Sequence, residues 1–205
     1  LHDALPIYGP SLTAILEGLP AGVRVQSDDL VAALARRRLG HGRGARMAFE
    51  RDEVSIIGGT RHGVSMGSPV AVSIANTEWP KWSTVMSADP VDEAAVEGLA
   101  RNAPLTRPRP GHADLAGMQK YGFDDARPAQ DRASPRETAP RVALGAVAAA
   151  FLHQARRNTH VAHTVELGGD AAAAEPLPVP DDVAALDADP ERCWDPAASA
   201  AMVAA

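Results

Sequence analysis

An α+β fold is the expectation for this chain of 205 residues, and three features of the sequence carry it. Strand-like runs sit close together in the first half ("ARMAFE", "EVSIIG", "PVAVSIAN"). The strongest helix signal, "SPRETAPRVALGAVAAAFLHQA", lies apart from them. No short internal repeat is visible.

In chain order, "SLTAILEGLPAGVRV" reads as a strand or a short helix, stopped by the turn at Pro20 to Gly22. Ser27, Asp28 and Asp29 then open a helix through "LVAALARRRL", and Gly40 is placed to end it. Arg36, Arg37 and Arg38 fall in its last turn, where the helix dipole favours cations without any ligand. The next three runs are the strands, and "GTRHGVSMGS" is expected as a long glycine-rich turn between the last two. Asn76 to Pro110 reads as loop. For the main helix, Ser134, Pro135 and Glu137 match N-cap, N1 and N3 of a capping box, while Pro140 is expected beyond the first turn, costing a hydrogen bond or bending the helix. "THVAHTVELG" alternates as a strand does, "DAAAAEPLPVPDD" reads as surface loop, and "DPAASAAMVAA" is helix-like with no stop signal.

Composition narrows the function. Hydrophobic residues make up 45% and aromatics only 4%, so a globular core must rest on Ala, Val, Leu and Ile. No apolar run reaches the length of a membrane span and no signal-peptide pattern is visible, so a cytosolic address is expected. The single cysteine, Cys193, has no partner for an internal disulfide or a thiolate metal site. A net charge of −6 argues against general nucleic-acid affinity. The basic residues are nonetheless 18 Arg and 2 Lys, concentrated in two clusters beside Gly and Pro, which suits bidentate capture of phosphate or carboxylate.

Four segments carry the chemistry: "RRRLGHGRG", "GTRHGVSMGSP", "RPGHAD" and "DRASPRET". In this order and spacing, together with "EGLPAG", "NTEWPKW" and "RPRPGHADLAGMQKYGFDDAR", they closely resemble the chorismate synthase family from about Tyr8 to the end. The resemblance implies the N-terminal half of that family's β-α-β sandwich, in an enzyme that assembles as a homotetramer. It implies anti-1,4-elimination of phosphate from 5-enolpyruvylshikimate 3-phosphate to give chorismate, with reduced FMN required although the reaction is redox-neutral. NADPH serves as reductant in some members.

By the same resemblance, Arg37 and Arg43 fall on arginines associated with the phosphorylated substrate and with NADPH, and Arg109 on a further substrate-side arginine. Guanidinium groups there would stabilise charge developing on the departing phosphate. His112 matches the histidine beside the flavin, where an imidazole can exchange a proton at neutral pH. Arg132, Ala133 and Ser134 match a flavin-contacting element, Arg132 also on the substrate side, and a helix N-terminus suits an anionic cofactor. Arg61 and His62 are assigned to the wall of the site. In "RPRPGHAD" the prolines stiffen the backbone and Gly111 is expected to admit close approach.

Several positions depart from the family pattern. Members carry Gly-Glu-Ser-His-Gly near the start, with the histidine as proton donor to the leaving phosphate; here Tyr8 precedes Gly9. Tyr8 is therefore the candidate acid, a weaker one because a phenol titrates near 10. Leu1 to Ile7 match nothing in the family and are expected to be a non-native leader, with residues 8–205 a partial domain. Asp131 stands where Glu is common, and Pro135 and Pro140 where Ala is common. The family chain is roughly twice this length, so this chain is expected to bind FMN weakly or not at all. A noncatalytic Arg-rich RNA-binding module is the rival reading; the negative charge and sparse aromatics count against it.

Overall fold

A computed structural model of the chain describes residues 2–4 (as backbone), 9–42, 52–173 and 175–205. Its centre is a four-stranded antiparallel sheet in the order β1-β2-β6-β3. These strands are β1 (His2–Ala4), β2 (Ser11–Leu16), β3 (Val54–Gly58) and, after the short hairpin β4 (Thr60–Arg61) and β5 (Val64–Ser65), β6 (Val70–Ala75). β2 runs against β6 in register from Ser11 opposite Ala75 to Leu16 opposite Val70.

The period-2 pattern of "PVAVSIAN" decides which face is covered. Val70, Val72 and Ile74 are buried with Leu12 and Ala14 from β2. Two helices pack on that face, α1 (Ser27–Arg37) through Leu30 and Leu34, and a 19-residue helix, Thr138–Arg156, through Ala139, Ala143, Leu144 and Val147. Each buried Leu, Ile or Val adds about 2 kcal/mol, which is how a core without aromatics holds. Helices on one face of an antiparallel sheet make the α+β class expected from the sequence.

Between sheet and long helix the chain runs through α2 (Glu93–Val96), α3 (Asp114–Tyr121) and α4 (Arg127–Arg132) before the long helix, α5. After α5 come a two-stranded hairpin, β7 (Glu166–Leu167) with β8 (Asp170–Ala171), then α6 (Val183–Ala188) and α7 (Pro196–Ala204). Asp195 caps α7 by accepting from the N–H groups of Ala197 and Ala198.

Where the structure departs from the sequence expectation, local geometry gives the reason. "SLTAILEGLPAGVRV" resolves to a strand, because Leu12 and Ala14 face the helices while Thr13 faces away. α1 begins one residue earlier than a Ser27 cap requires: Gln26 is the N-cap, without a side-chain bond. "GTRHGVSMGS" contains the β4–β5 hairpin, turned by His62 and Gly63 at φ 51° and 75°. That pair of positive φ values matches a type I′ hairpin turn. "THVAHTVELG" supplies only the two residues of β7; its remainder has no strand partner. Pro140 does not interrupt its helix, which runs unbroken from Thr138 to Arg156. A 3-10 turn, Pro135–Glu137, precedes α5, so Pro140 occupies the first α-helical turn, where its N–H would be unpaired anyway, and its ring is fully buried. "ARMAFE" lies outside the described residues.

Candidate functional site

The site is built around a turn. Pro110 and Gly111 occupy its two central positions, with Gly111 at φ 69°, and the N–H of His112 reaches back to the carbonyl of Arg109 at 3.4 Å. Proline followed by a residue at positive φ is the type II pattern. A Cβ on Gly111 would meet no protein atom within 4 Å, and its positive φ is the conformation that favours glycine there. The segment leading into this turn is anchored to the start of α4: Leu105 N–H donates to Asp125 (3.1 Å), Ala126 N–H to the Leu105 carbonyl (2.9 Å), and Arg127 to the Ala103 carbonyl (2.7 Å).

At the first position of α3, Asp114 gathers the turn. Its carboxylate is fully buried. Oδ2 accepts from the backbone N–H of Arg109 (3.0 Å), from Arg109 Nε (2.9 Å) and from Gln130 Nε2 (2.9 Å); Oδ1 accepts from Arg109 Nη2 (3.0 Å). Nδ1 of His112 lies 2.8 Å from Oδ1 and 3.1 Å from Arg109 Nη2. The bidentate guanidinium holds the Asp114 carboxyl far below the usual carboxylate range, against the opposing effect of burial. Arg109 keeps about half its side-chain surface (48%), and His112 keeps 27%. An arginine already neutralised by a buried aspartate is a rigid, oriented donor more than a net positive charge.

Gln130 carries the turn across to α4, which leads directly to Arg132, Ala133 and Ser134. Gly117 of α3 lies so close to α4 that a Cβ there would sit 2.6 Å from the Ala129 Cβ. Where the helices diverge, an almost wholly apolar cavity of about 210 Å³ opens, bordered by Ala113, Gly117, Tyr121, Phe123, Arg132 and Ala133. His112's neighbour Ala113 and the RAS segment thus share a cavity wall. Ser134 is buried and its Oγ accepts from the Arg136 N–H, capping the 3-10 turn Pro135–Glu137. The capping box expected for the long helix does not form: the N-cap of α5 is Glu137, without a side-chain cap bond, and its carboxylate accepts from Arg141 Nε (2.9 Å).

The arginine triplet of α1 divides by role. Arg36 forms a bidentate pair with Asp187 (2.6 and 3.0 Å), lowering the Asp187 carboxyl and joining α1 to α6; Arg192 reaches the same carboxylate (3.1 Å). Arg37 turns instead to the α5 entry, where Nε donates to Thr138 Oγ1 (2.8 Å). Arg37 therefore meets the first residue of α5, just after the 3-10 turn that Ser134 caps. Arg61 and His62 sit at an exposed hairpin tip whose Gly63 carbonyl accepts from Val25 N–H, on the α1 entry. Arg43 and Tyr8 lie outside the described residues.

Three residues without an assigned role in the sequence turn out to organise the region. Asp114 stands two positions after His112 in "GHAD", and that spacing was its only signal. Gln130 had none. Arg136, only 4% exposed, donates to Asn76 Oδ1 (2.9 Å) and to the Ala75 carbonyl (3.1 Å), tying the α5 entry to the end of β6. Trp82 of "NTEWPKW" has the guanidinium groups of Arg101 and Arg127 at 5.6 and 5.9 Å from its ring, a packing role. Among the described residues no helix is long and apolar enough to cross a membrane.

Known proteins share this sequence closely. A chorismate synthase from Beutenbergia cavernae is 67% identical over 198 residues, covering 96% of this chain and 50% of that protein. One from Thermobifida fusca is 65% identical over 198 residues with the same shares. The chain spans about half the length of the curated relatives it matches. A crystal structure of chorismate synthase superposes with a TM-score of 0.52 at 32% identity, covering 75% of this chain and 34% of the other. The chorismate synthase family model matches residues 7–205, essentially the whole chain, and with these relatives it shows that the protein belongs to the chorismate synthase family.

Proposed function

We propose that the protein acts in chorismate formation, the elimination of phosphate from 5-enolpyruvylshikimate 3-phosphate. The observation that carries the reading is the Asp114-centred cluster, which brings Arg109 and His112 together beside a cavity bordered by Arg132 and Ala133. Reduced FMN, when bound, supplies a transient electron. The residues of this chain supply orientation, donors and a proton site. Arg109 presents its exposed edge to the phosphate side, aimed by Asp114. His112 exchanges a proton with the bound reactants. Arg37 and Arg43 contribute further phosphate contacts, and Arg132, Ala133 and Ser134 form part of the flavin wall.

The described residues fit a flavin only in part. A cavity of about 210 Å³ is below the roughly 300–1,000 Å³ of a ligand pocket, so it serves as one wall of a larger site. Ser134 Oγ accepts the cap bond from the Arg136 N–H, and its O–H would be the group it offers a cofactor. This supports weak FMN binding by these 205 residues alone.

The test uses two chains: this one, and this one joined to the C-terminal half of the Beutenbergia cavernae relative. Both are assayed anaerobically with the substrate and reduced FMN. Chorismate from the joined chain and none from the shorter one is expected. An inactive joined chain that is folded and binds FMN would overturn the reading. In the joined chain Tyr8→His should raise the rate, since imidazole is the better acid near neutral pH.

A further inference from the structure

We propose that Asn76 is a positioning residue: its side-chain amide joins the peptide next to Tyr8, the candidate proton donor, to the Arg132–Ser134 element, and so sets where position 8 stands relative to the flavin wall. The inference deepens the reading of function given above and rests on it.

Three hydrogen bonds run in series. Asn76 Nδ2 donates to the Gly9 carbonyl at 2.8 Å, Arg136 Nη1 donates to Asn76 Oδ1 at 2.9 Å, and the Arg136 N–H donates to Ser134 Oγ at 3.1 Å. Gly9 is bonded directly to Tyr8, and Ser134 closes the segment that starts at Arg132. Gly9, Asn76, Ser134 and Arg136 are all buried, so these bonds act in a low dielectric and are not freely exchanged for bonds to water. The backbone of Asn76 adds to the junction: its N–H donates to the Pro10 carbonyl (3.0 Å) and its carbonyl accepts from the Trp79 N–H (3.0 Å).

The chemistry of the partners requires asparagine. Arg136 and the N–H of Glu78, which also reaches Oδ1 (3.1 Å), can only donate, so they face the amide oxygen. The Gly9 carbonyl can only accept, so it faces the amide nitrogen. An aspartate has the same shape. It would keep Arg136 as a charge-assisted pair and would turn a carboxylate oxygen on the Gly9 carbonyl. Asn76→Asp thus cuts the series at one bond, the one that leads to position 8.

Two measurements test this. In the 205-residue chain, NMR reads the through-hydrogen-bond coupling between Asn76 Nδ2 and the Gly9 carbonyl carbon, and the ring signals of the two tyrosines, Tyr121 being assigned from the signal lost in Tyr121→Phe. The expected result is coupling in the wild type, with a Tyr8 signal that shifts in Asn76→Asp while Tyr121 stays. Absent coupling, or an unmoved Tyr8 signal in a folded variant, would overturn the proposal. If Asn76→Asp does not fold, the wild-type coupling decides alone. In the joined chain, kcat is measured in a cycle between Asn76→Asp and Tyr8→His. The gain from Tyr8→His should shrink by about threefold or more in the Asn76→Asp background, because a better acid helps only where it is well placed. Equal gains in the two backgrounds, the mark of a merely structural Asn76, would also overturn the proposal. No gain from Tyr8→His with Asn76 in place is a failure of the reading of position 8 as the acid; the NMR result needs neither flavin nor turnover and then decides the placement.

Discussion

Asp114 and Arg109 form a bidentate pair in which the carboxylate is fully buried and the guanidinium is half exposed, and the same carboxylate lies 2.8 Å from His112. Because its pKa is lowered in the folded state, Asp114 stabilises the protein fully above the unfolded value, and that stability is lost as pH falls through the folded value. Its contribution is therefore complete above about pH 5 and declines below about pH 4. Asp114→Asn should cost about 2 kcal/mol at neutral pH and flatten the acid limb of the melting temperature plotted against pH. Superimposable acid limbs for the two proteins would contradict this.

Gly117→Ala tests the close approach of α3 and α4. In an open helix the change gains about 1 kcal/mol. Here the new methyl would lie 2.6 Å from Ala129 Cβ, so a net loss of about 1–3 kcal/mol is expected from denaturant unfolding. Adding Ala129→Gly should recover much of it. A stabilised single variant would show that the helices part without cost.

Removing Arg136 takes one donor from each of two acceptors at the end of β6, although Asn76 Oδ1 keeps the Glu78 N–H. Arg136→Met leaves Asn76 Oδ1 and the Ala75 carbonyl without their guanidinium partner, at about 2–4 kcal/mol in urea unfolding. Arg136→Lys should restore only part, since one ammonium does not reproduce the planar fork. Full recovery with lysine would mean that charge alone matters.

A double-mutant cycle between Arg37→Ala and Thr138→Val isolates the bond joining α1 to the α5 entry. A coupling of about 0.5–1 kcal/mol is expected. Additive losses would mean that the two side chains act independently, and that Arg37 is placed by its other contacts.

Legibility followed the range of the interactions. "PVAVSIAN" and "LVAALARRRL" announced their elements because alternating or helical burial is written into consecutive residues. The cluster around Asp114 is local for the same reason: Arg109, His112 and Asp114 lie within the six residues of "RPGHAD". "THVAHTVELG" misled because its alternation finds partners only at Glu166 and Leu167, and a strand needs a neighbour as well as a pattern. Pro140 misled because the 3-10 turn ahead of α5 shifts where the α-helix begins.

By itself the sequence determined the α+β class, the identity of the main strands and helices, and the family to which the chain belongs, since each depends on residue type and spacing along the backbone. Only the tertiary structure decided that Arg36 serves α6 while Arg37 serves α5, that Gln130 supports Asp114 from another helix, and that Gly117 is there for Ala129. The physical reason is that hydrogen bonds and steric contacts act over a few ångströms of space. Residues far apart in the chain acquire such partners only when the sheet and its covering helices have packed.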